Sequence, residues 1–189
     1  MSLKHALLGF LNYRSMTGYQ LKQHFDESVQ KFWNASLSQI YPTLSQMKEE
    51  GLLIMEVKYQ DSSPNAKVYH ITNRGRAELQ RWLAEPMESQ PYRNAFLVKI
   101  FFGANIDDRD VIITQLKQHL ERCEGNLKSY QQTLNRIIED RSEDDLSQDA
   151  LFWSLTVDFG IKSAEAAIAW YRESIQKLEG LRNKGDDVR

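Results

Sequence analysis

Between residues 36 and 46 the chain reads "SLSQIYPTLSQ", and its hydrogen-bonding residues fall on one side of a helical period. Leu37, Ile40, Leu44 and Met47 recur at spacings of three, four and three, which defines an apolar stripe. Set that stripe inward, and Ser38, Gln39, Pro42, Ser45 and Gln46 face out, with Tyr41 and Thr43 at the margins. A solvated helix ordinarily carries Lys and Glu on its outer face, and this one does so only at Lys48, Glu49 and Glu50. Short neutral side chains of this kind suit a groove lined with base edges. Gln pairs with adenine edges, Ser with several bases, and aliphatic carbons touch the thymine methyl. The same face also fits a plain polar helix with an incidental proline.

Pro42 bears on that choice. In a helix interior it costs on the order of 3 kcal/mol, because it lacks an amide donor and crowds the preceding turn. With Ser36 or Ser38 as cap and Gly51 as stop, the helix spans 36–50. Pro42 then stands within the first turn or two, where the missing amide costs least. A helix-turn-helix places the N-terminal part of its second helix in the major groove, which is where Ser38, Gln39, Tyr41, Pro42 and Thr43 lie. Ser36, Ser38 and Lys67 are candidates for phosphate, and Gln39, Tyr41 and Gln46 for base or sugar.

The surrounding elements are what such a reading needs. Leu3, Ala6, Leu7, Phe10 and Leu11 predict a first helix over 2–13, and Thr17 caps a second that frays near 27–32. After Gly51 the period changes: Met55, Val57 and Tyr59 alternate with Glu56, Lys58 and Gln60. A cluster of turn residues, Asp61, Ser62, Ser63, Pro64 and Asn65, then leads the chain into "AKVYHIT". This is a hairpin whose tip carries Asn65 and Lys67, placed as a wing against phosphate. Thr72 caps the next helix. Two prolines in "AEPMESQPY" mark a linker at 86–92, between a winged helix-turn-helix at 1–85 and a helical region at 93–183; a disordered tail follows at 184–189. The helical region reads as Tyr92–Gly103, Asp107–Asp140 and Gln148–Arg182, with Ser147 a cap. One long helix carries Ile112, Leu116, Leu120, Leu127, Leu134 and Ile138; the other carries Leu151, Leu155, Phe159, Ala166, Trp170 and Leu178. Two such helices invite antiparallel association and then a second copy. The fold class is mainly α: an N-terminal winged helix-turn-helix with a two-stranded wing, then a C-terminal antiparallel helical dimerisation domain.

Bulk composition is permissive. The net charge of −2 excludes a wholly basic nucleic-acid binder, but residues 1–84 hold 10 Lys and Arg against 7 Asp and Glu, so the net positive charge sits with the winged half. Cys123 is the only cysteine, so no intrachain disulfide forms, and the apolar N-terminal stretch is too short to cross a membrane. The expected location is the cytoplasm. Enzyme chemistry finds no support. His5, His24, His70 and His119 form no metal motif, and His119 with Cys123 supplies two ligands where a site needs more. The acidic run "EDRSEDDLSQD" reads as a solvated loop between helices rather than a catalytic carboxylate pair. No cofactor or metal is expected.

"ALLGFL", "GYQLKQHF", "FWNASLSQIYPTLSQMKEEGLL", "KVYHIT", "RGRAELQRWL" and "RNAFLVKIFF" resemble, in order and spacing, the PadR family of bacterial transcriptional regulators. "LTVDFGIKSAEAAIAWYRESIQKLE" looks like the C-terminal helical domain of the longer branch and of the related virulence activators. The resemblance implies a homodimer on palindromic double-stranded DNA, usually a repressor, contacting it through helix 36–50 and wing 59–69. It also implies release by a small aromatic or lipophilic effector, for which Trp33, Trp82, Phe152, Trp153, Phe159 and Trp170 are the candidate aromatics. The default role of each is core or dimer packing. Two departures stand out: the wing tip has one Lys where members often carry several basic residues, and Asn94 and Ala95 replace commonly acidic positions. A helical-dimer adaptor that keeps the fold without reading DNA, and an activator, are the alternatives.

Overall fold

The computed structural model describes residues 2–29, 32–59, 65–86, 93–139 and 148–186. The chain divides into two compact units, Met1–Gln90 and Pro91–Arg189.

The first unit contains α1 (Ser2–Tyr13), β1 (Met16–Thr17), α2 (Gly18–Glu27), α3 (Leu37–Glu49), β2 (Leu53–Lys58), β3 (Ala66–Ile71) and α4 (Asn73–Ala84). Its core joins the helical stripes: Leu7, Leu8 and Leu11 of α1, Leu21 and Phe25 of α2, and Ile40, Leu44 and Met47 of α3, closed by Leu53 of β2. Local chemistry sets the helix ends. Thr17 N–H donates to Gln20 Oε1 at 2.8 Å and Gln20 N–H donates to Thr17 Oγ1 at 3.2 Å, a reciprocal cap for α2. Gly51 adopts φ +71°, a left-handed conformation that glycine takes without strain. There Gly51 N–H donates to Lys48 O (3.0 Å) and Leu52 N–H to Met47 O (2.9 Å), the paired bonds that satisfy the last carbonyls of α3.

The sheet has three strands in the order β1-β3-β2, all antiparallel. The two-stranded hairpin of the sequence reading is β2 and β3; β1 adds Met16 opposite Tyr69 and Thr17 opposite Val68. Two residues are too few to show alternation, so this strand left no periodic signal. The hairpin also outruns the core. Leu53 is buried and Met55 half-buried, but Val57 and Tyr59, which continue the same alternation, are exposed.

Thr72 starts α4 by accepting from Gly75 N–H at 3.1 Å while donating to the carbonyl oxygens of Gly51 and Leu52. A charged cluster then ties α4 to α1. Arg81 donates twice to the Glu78 carboxylate, at 2.8 and 3.0 Å, His5 Nε2 donates at 3.1 Å, and Lys4 lies 3.4 Å away. Arg81 first, then His5, hold the Glu78 carboxyl down to about 2, against partial desolvation. A carboxyl depressed on folding stabilises the fold above its unfolded value and loses that contribution as pH falls toward the folded one. The window therefore runs from about pH 4.5 down to about 2. Discounted for solvent screening, the term is on the order of 1–2 kcal/mol. Glu78→Gln is expected to flatten the pH dependence of the unfolding midpoint across that window; an unchanged slope would put the acid sensitivity elsewhere.

The second unit contains α5 (Ala95–Phe101), a short 3-10 turn (Gly103–Asn105), α6 (Asp110–Glu139) and α7 (Gln148–Asp186). The first helix is shorter than the expected Tyr92–Gly103, because Asn94 caps it by accepting from the Phe96 and Leu97 amides. Ion pairs Lys117–Glu179 and Arg172–Glu124 show that α6 and α7 run antiparallel. Gly160 permits their close approach, since a Cβ there would lie 2.5 Å from the Tyr130 ring. The buried stripe of α7 is Val157, Gly160, Ala164, Ile168 and Ile175. Leu151, Leu155, Phe159 and Trp170 of the expected stripe lie exposed instead. Two apolar faces compete on this helix, and the one with small residues fits against α6. Helix α7 continues to Asp186, three residues into the expected tail, since extending a formed helix costs little. Ser147 and residues 87–92 of the linker lie outside the described residues.

Candidate nucleic-acid interface

Helix α3 presents the expected face. Ser36, Ser38, Gln39, Tyr41, Pro42 and Gln46 are exposed, Thr43 is half-buried, and Ile40, Leu44 and Met47 point into the core. Pro42 stands in the second turn and the helix runs through it. Thr43 Oγ1 donates to Gln39 O at 2.8 Å, binding the turn that the proline interrupts.

The hydrogen-bonding groups at the start of α3 are mutually ordered. Ser36 N–H donates to Gln39 Oε1 at 3.0 Å, Ser36 Oγ lies 3.2 Å from the same oxygen, and Ser36 Oγ and Ser38 Oγ are 2.7 Å apart. At the other end Gln46 Nε2 donates to Glu50 Oε1 at 2.8 Å. Tyr41 is held by shape. Its ring lies over Gly18, where a Cβ would meet ring carbon at 2.5 Å. The phenol of Tyr69 is raised above its ordinary value, chiefly by burial and secondarily by Tyr41. Tyr41 thus stands at the first turn of α2 with about half its surface open to solvent. On the wing, Asn65 and Lys67 are exposed, and Lys67 sits opposite Val57 in the ladder. Among the described residues no carboxylate forms a salt bridge with Lys67.

The aromatic candidates are dispersed. Trp82 stacks on His5 at 4.5 Å with a 4° interplanar angle and packs against the core of the first unit, while Trp33 is exposed before α3. Phe152, Trp153, Phe159 and Trp170 are exposed along α7. At 1.5 Å per residue, the 18 steps from Phe152 to Trp170 span about 27 Å, too far to line one small-molecule pocket by themselves. A cluster that the sequence reading missed lies within the second unit. His119 of α6 sits 4.2 Å from Phe96 of α5 and stacks on Tyr171 of α7 at 5.8 Å, with Trp170 edge-on to Tyr171. Only chain folding brings 96, 119 and 171 together. Desolvation, then Arg122 and Lys99, lower the His119 imidazole below its ordinary value. Burial pushes the Cys123 thiol up, which makes it a weak metal ligand. Among the described residues no three His, Cys, Asp or Glu side chains are grouped to hold a metal ion. No described helix is long and apolar enough to cross a membrane.

A tri-helical unit with a β-hairpin, an exposed neutral face on its third helix and a lysine on the hairpin define a winged helix-turn-helix protein of the DNA-binding class. Comparison with known proteins narrows the class. Residues 7–81 match the transcriptional regulator PadR-like family, and residues 92–179 match the virulence activator alpha C-terminal domain. The Mycobacterium tuberculosis protein named "Probable transcriptional regulator Rv1176c" is 34% identical over 96% of this chain and 100% of its own length. Bacillus subtilis "Negative transcriptional regulator PadR" is 28% identical over 72% of this chain and 75% of its own. Its crystal structure in complex with operator DNA matches with a TM-score of 0.80, at 23% identity, covering 94% and 99% of the two chains. The same protein has been solved with p-coumaric acid, with a TM-score of 0.75, at 22% identity, covering 94% and 95%. The Vibrio cholerae virulence activator AphA matches with a TM-score of 0.76 at 26% identity, covering 95% and 99%. The chain belongs to the PadR-like family of transcriptional regulators. It is a regulator and not an enzyme.

Proposed function

We propose that the chain is a homodimeric repressor that binds a palindromic operator and is released from it by a small aromatic or lipophilic effector. One observation carries the DNA-reading part: the exposed face of α3 is largely neutral and hydrogen-bonding, with Ile40, Leu44 and Met47 committed to the core, while Leu37 of the expected stripe stays exposed at the first turn. In this reading Gln39, Tyr41 and Gln46 meet base edges or sugars, with Pro42 and Thr43 beside them. Ser36, Ser38, Asn65 and Lys67 position the domain against phosphate. A dimer would seat two such helices in successive major grooves, about 34 Å apart.

The dimer reading rests on α7, whose exposed Leu151, Phe152, Leu155 and Phe159 form an apolar strip on the side away from α6. A second copy of this chain would bury it. The repressor and effector parts rest on the B. subtilis relative, named a negative regulator and crystallised with both operator DNA and p-coumaric acid. Of the candidate aromatics Trp33, Trp82, Phe152, Trp153, Phe159 and Trp170, the four on α7 span too far to line one pocket, so only a subset would meet an effector; coupling of effector to DNA requires only differential affinity between two dimer geometries. The virulence activator AphA favours a second reading, in which the bound dimer activates.

Selection from a random DNA pool with the purified full chain tests the proposal. An enriched inverted repeat with half-sites about one helical turn apart is expected; no enrichment above background would favour the adaptor reading. A transcription assay from the selected site separates repression from activation, and repeating the selection with aromatic acids tests release. With the site in hand, Lys67→Ala should weaken binding to all sequences and reduce the slope of log affinity against log salt by about one. An unaltered slope would remove the wing from the phosphate contacts.

A further inference from the structure

We infer that Gln39 is oriented by its own helix cap to act only as a hydrogen-bond donor, and that it therefore selects a guanine rather than the adenine that a free glutamine favours. The inference rests on the proposal that α3 reads DNA.

The amide orientation follows from the partner. The atom of Gln39 that lies 3.0 Å from Ser36 N faces a backbone N–H, which can only donate, so that atom is the oxygen. Ser36 Oγ lies 3.2 Å from the same oxygen and can donate to it as well, which adds to the hold of the cap on that atom. When its proton is given to Gln39, Ser36 Oγ accepts from Ser38 at 2.7 Å; in the opposite sense Ser36 donates to Ser38, and the Ser36 N–H bond alone holds the Gln39 oxygen. Gln39 is exposed, and no described residue takes a hydrogen bond from its Nε2. What this turn offers to a groove is therefore an amino group with two donors.

Glutamine pairs with adenine through two bonds of opposite sense, donating to N7 and accepting from the N6 amino group. The second bond needs the oxygen that the cap already uses. Against adenine the outward amino group would meet N7 and, beside it, another amino group. Guanine presents O6 and N7, two acceptors side by side, which a two-donor group satisfies. Taking adenine bidentately would require breaking the cap and leaving the Ser36 amide unsatisfied.

The substitution that isolates this is Gln39→Glu. A carboxylate at this position still accepts from Ser36 N–H, as the S/T-x-x-E capping box does, but presents an acceptor outward. Binding of wild type, Gln39→Ala and Gln39→Glu would be measured by fluorescence anisotropy on the selected operator. Each half-site purine in turn is replaced by its 7-deaza analogue, and each guanine also by adenine. The expected result is one guanine whose 7-deaza or adenine replacement weakens wild type by roughly 5- to 100-fold and leaves Gln39→Ala indifferent. Gln39→Glu should keep the wild-type thermal midpoint and move the preference at that position toward cytosine, whose amino group donates. Coupling of Gln39 to an adenine or thymine would overturn the inference, because the cap would then have opened or the donor would read another edge. Specific binding with no base coupled to Gln39 would overturn it too, leaving the residue a cap alone. Absence of specific binding by wild type to any sequence would overturn the DNA-reading proposal itself, and this inference with it.

Discussion

Leu44→Ala is expected to destabilise the N-terminal unit by about 2–5 kcal/mol, the range for truncating a buried leucine. Leu44 has no solvent exposure and belongs to one cluster with Leu7, Leu8, Leu21, Phe25, Ile40 and Met47, so the void would open where three helices meet. The spread depends on how far those neighbours collapse into it. For a unit of this size each kcal/mol lowers the midpoint by about 4–8 °C, so a fall of at least about 8 °C is expected. The neighbouring exposed Ser45→Ala is the control, with a change within about 0.5 kcal/mol. Calorimetry on both variants checks this. Equal midpoints would mean that α3 is not held by its apolar stripe, and the orientation of its hydrogen-bonding face would lose its basis.

Phe159→Glu tests the other unit and has an effect of similar size on function. Phe159 is 74% exposed and points away from the α6–α7 seam, so the substitution leaves Val157, Gly160 and Ala164 in place. The helical content should be unchanged by circular dichroism. If the strip of Leu151, Phe152, Leu155 and Phe159 is covered by a second copy, two glutamates near the dyad would be desolvated and brought together, and the dimer would part. A monomer holds one half-site without the effective concentration that the first contact provides for the second. Operator affinity should then fall by about 10²–10⁴-fold. Sedimentation of wild type and variant decides it: a dimer that becomes a monomer is the expected outcome, and two unchanged dimers would move the interface off this strip.

The helix ends of the first unit were legible because they are local. Thr17 reaches Gln20, Thr72 reaches Gly75, and Gly51 takes its left-handed φ within a few residues of the helix it ends. The inward stripe of α3 was legible for the same reason, since Ile40, Leu44 and Met47 have no competing apolar face on that helix. On α7 there are two such faces. The bulky one, with Leu155, Phe159 and Trp170, gave the stronger hydrophobic pattern, while the one with Gly160 and Ala164 is the one that Tyr130 and α6 approach closely. Periodicity reports that a face is apolar and is silent about what covers it.

By itself, then, the amino-acid order determined the short-range features: the three-helix and hairpin succession, the caps, the tolerated Pro42 and an outward face of α3 that carries charge only near its end. Tertiary structure decided which surfaces meet. It paired Met16 and Thr17 with β3, ran Val57 and Tyr59 past the core, and brought His119 together with Phe96 and Tyr171. Each of these depends on distance or direction in space, and residue type and spacing encode neither.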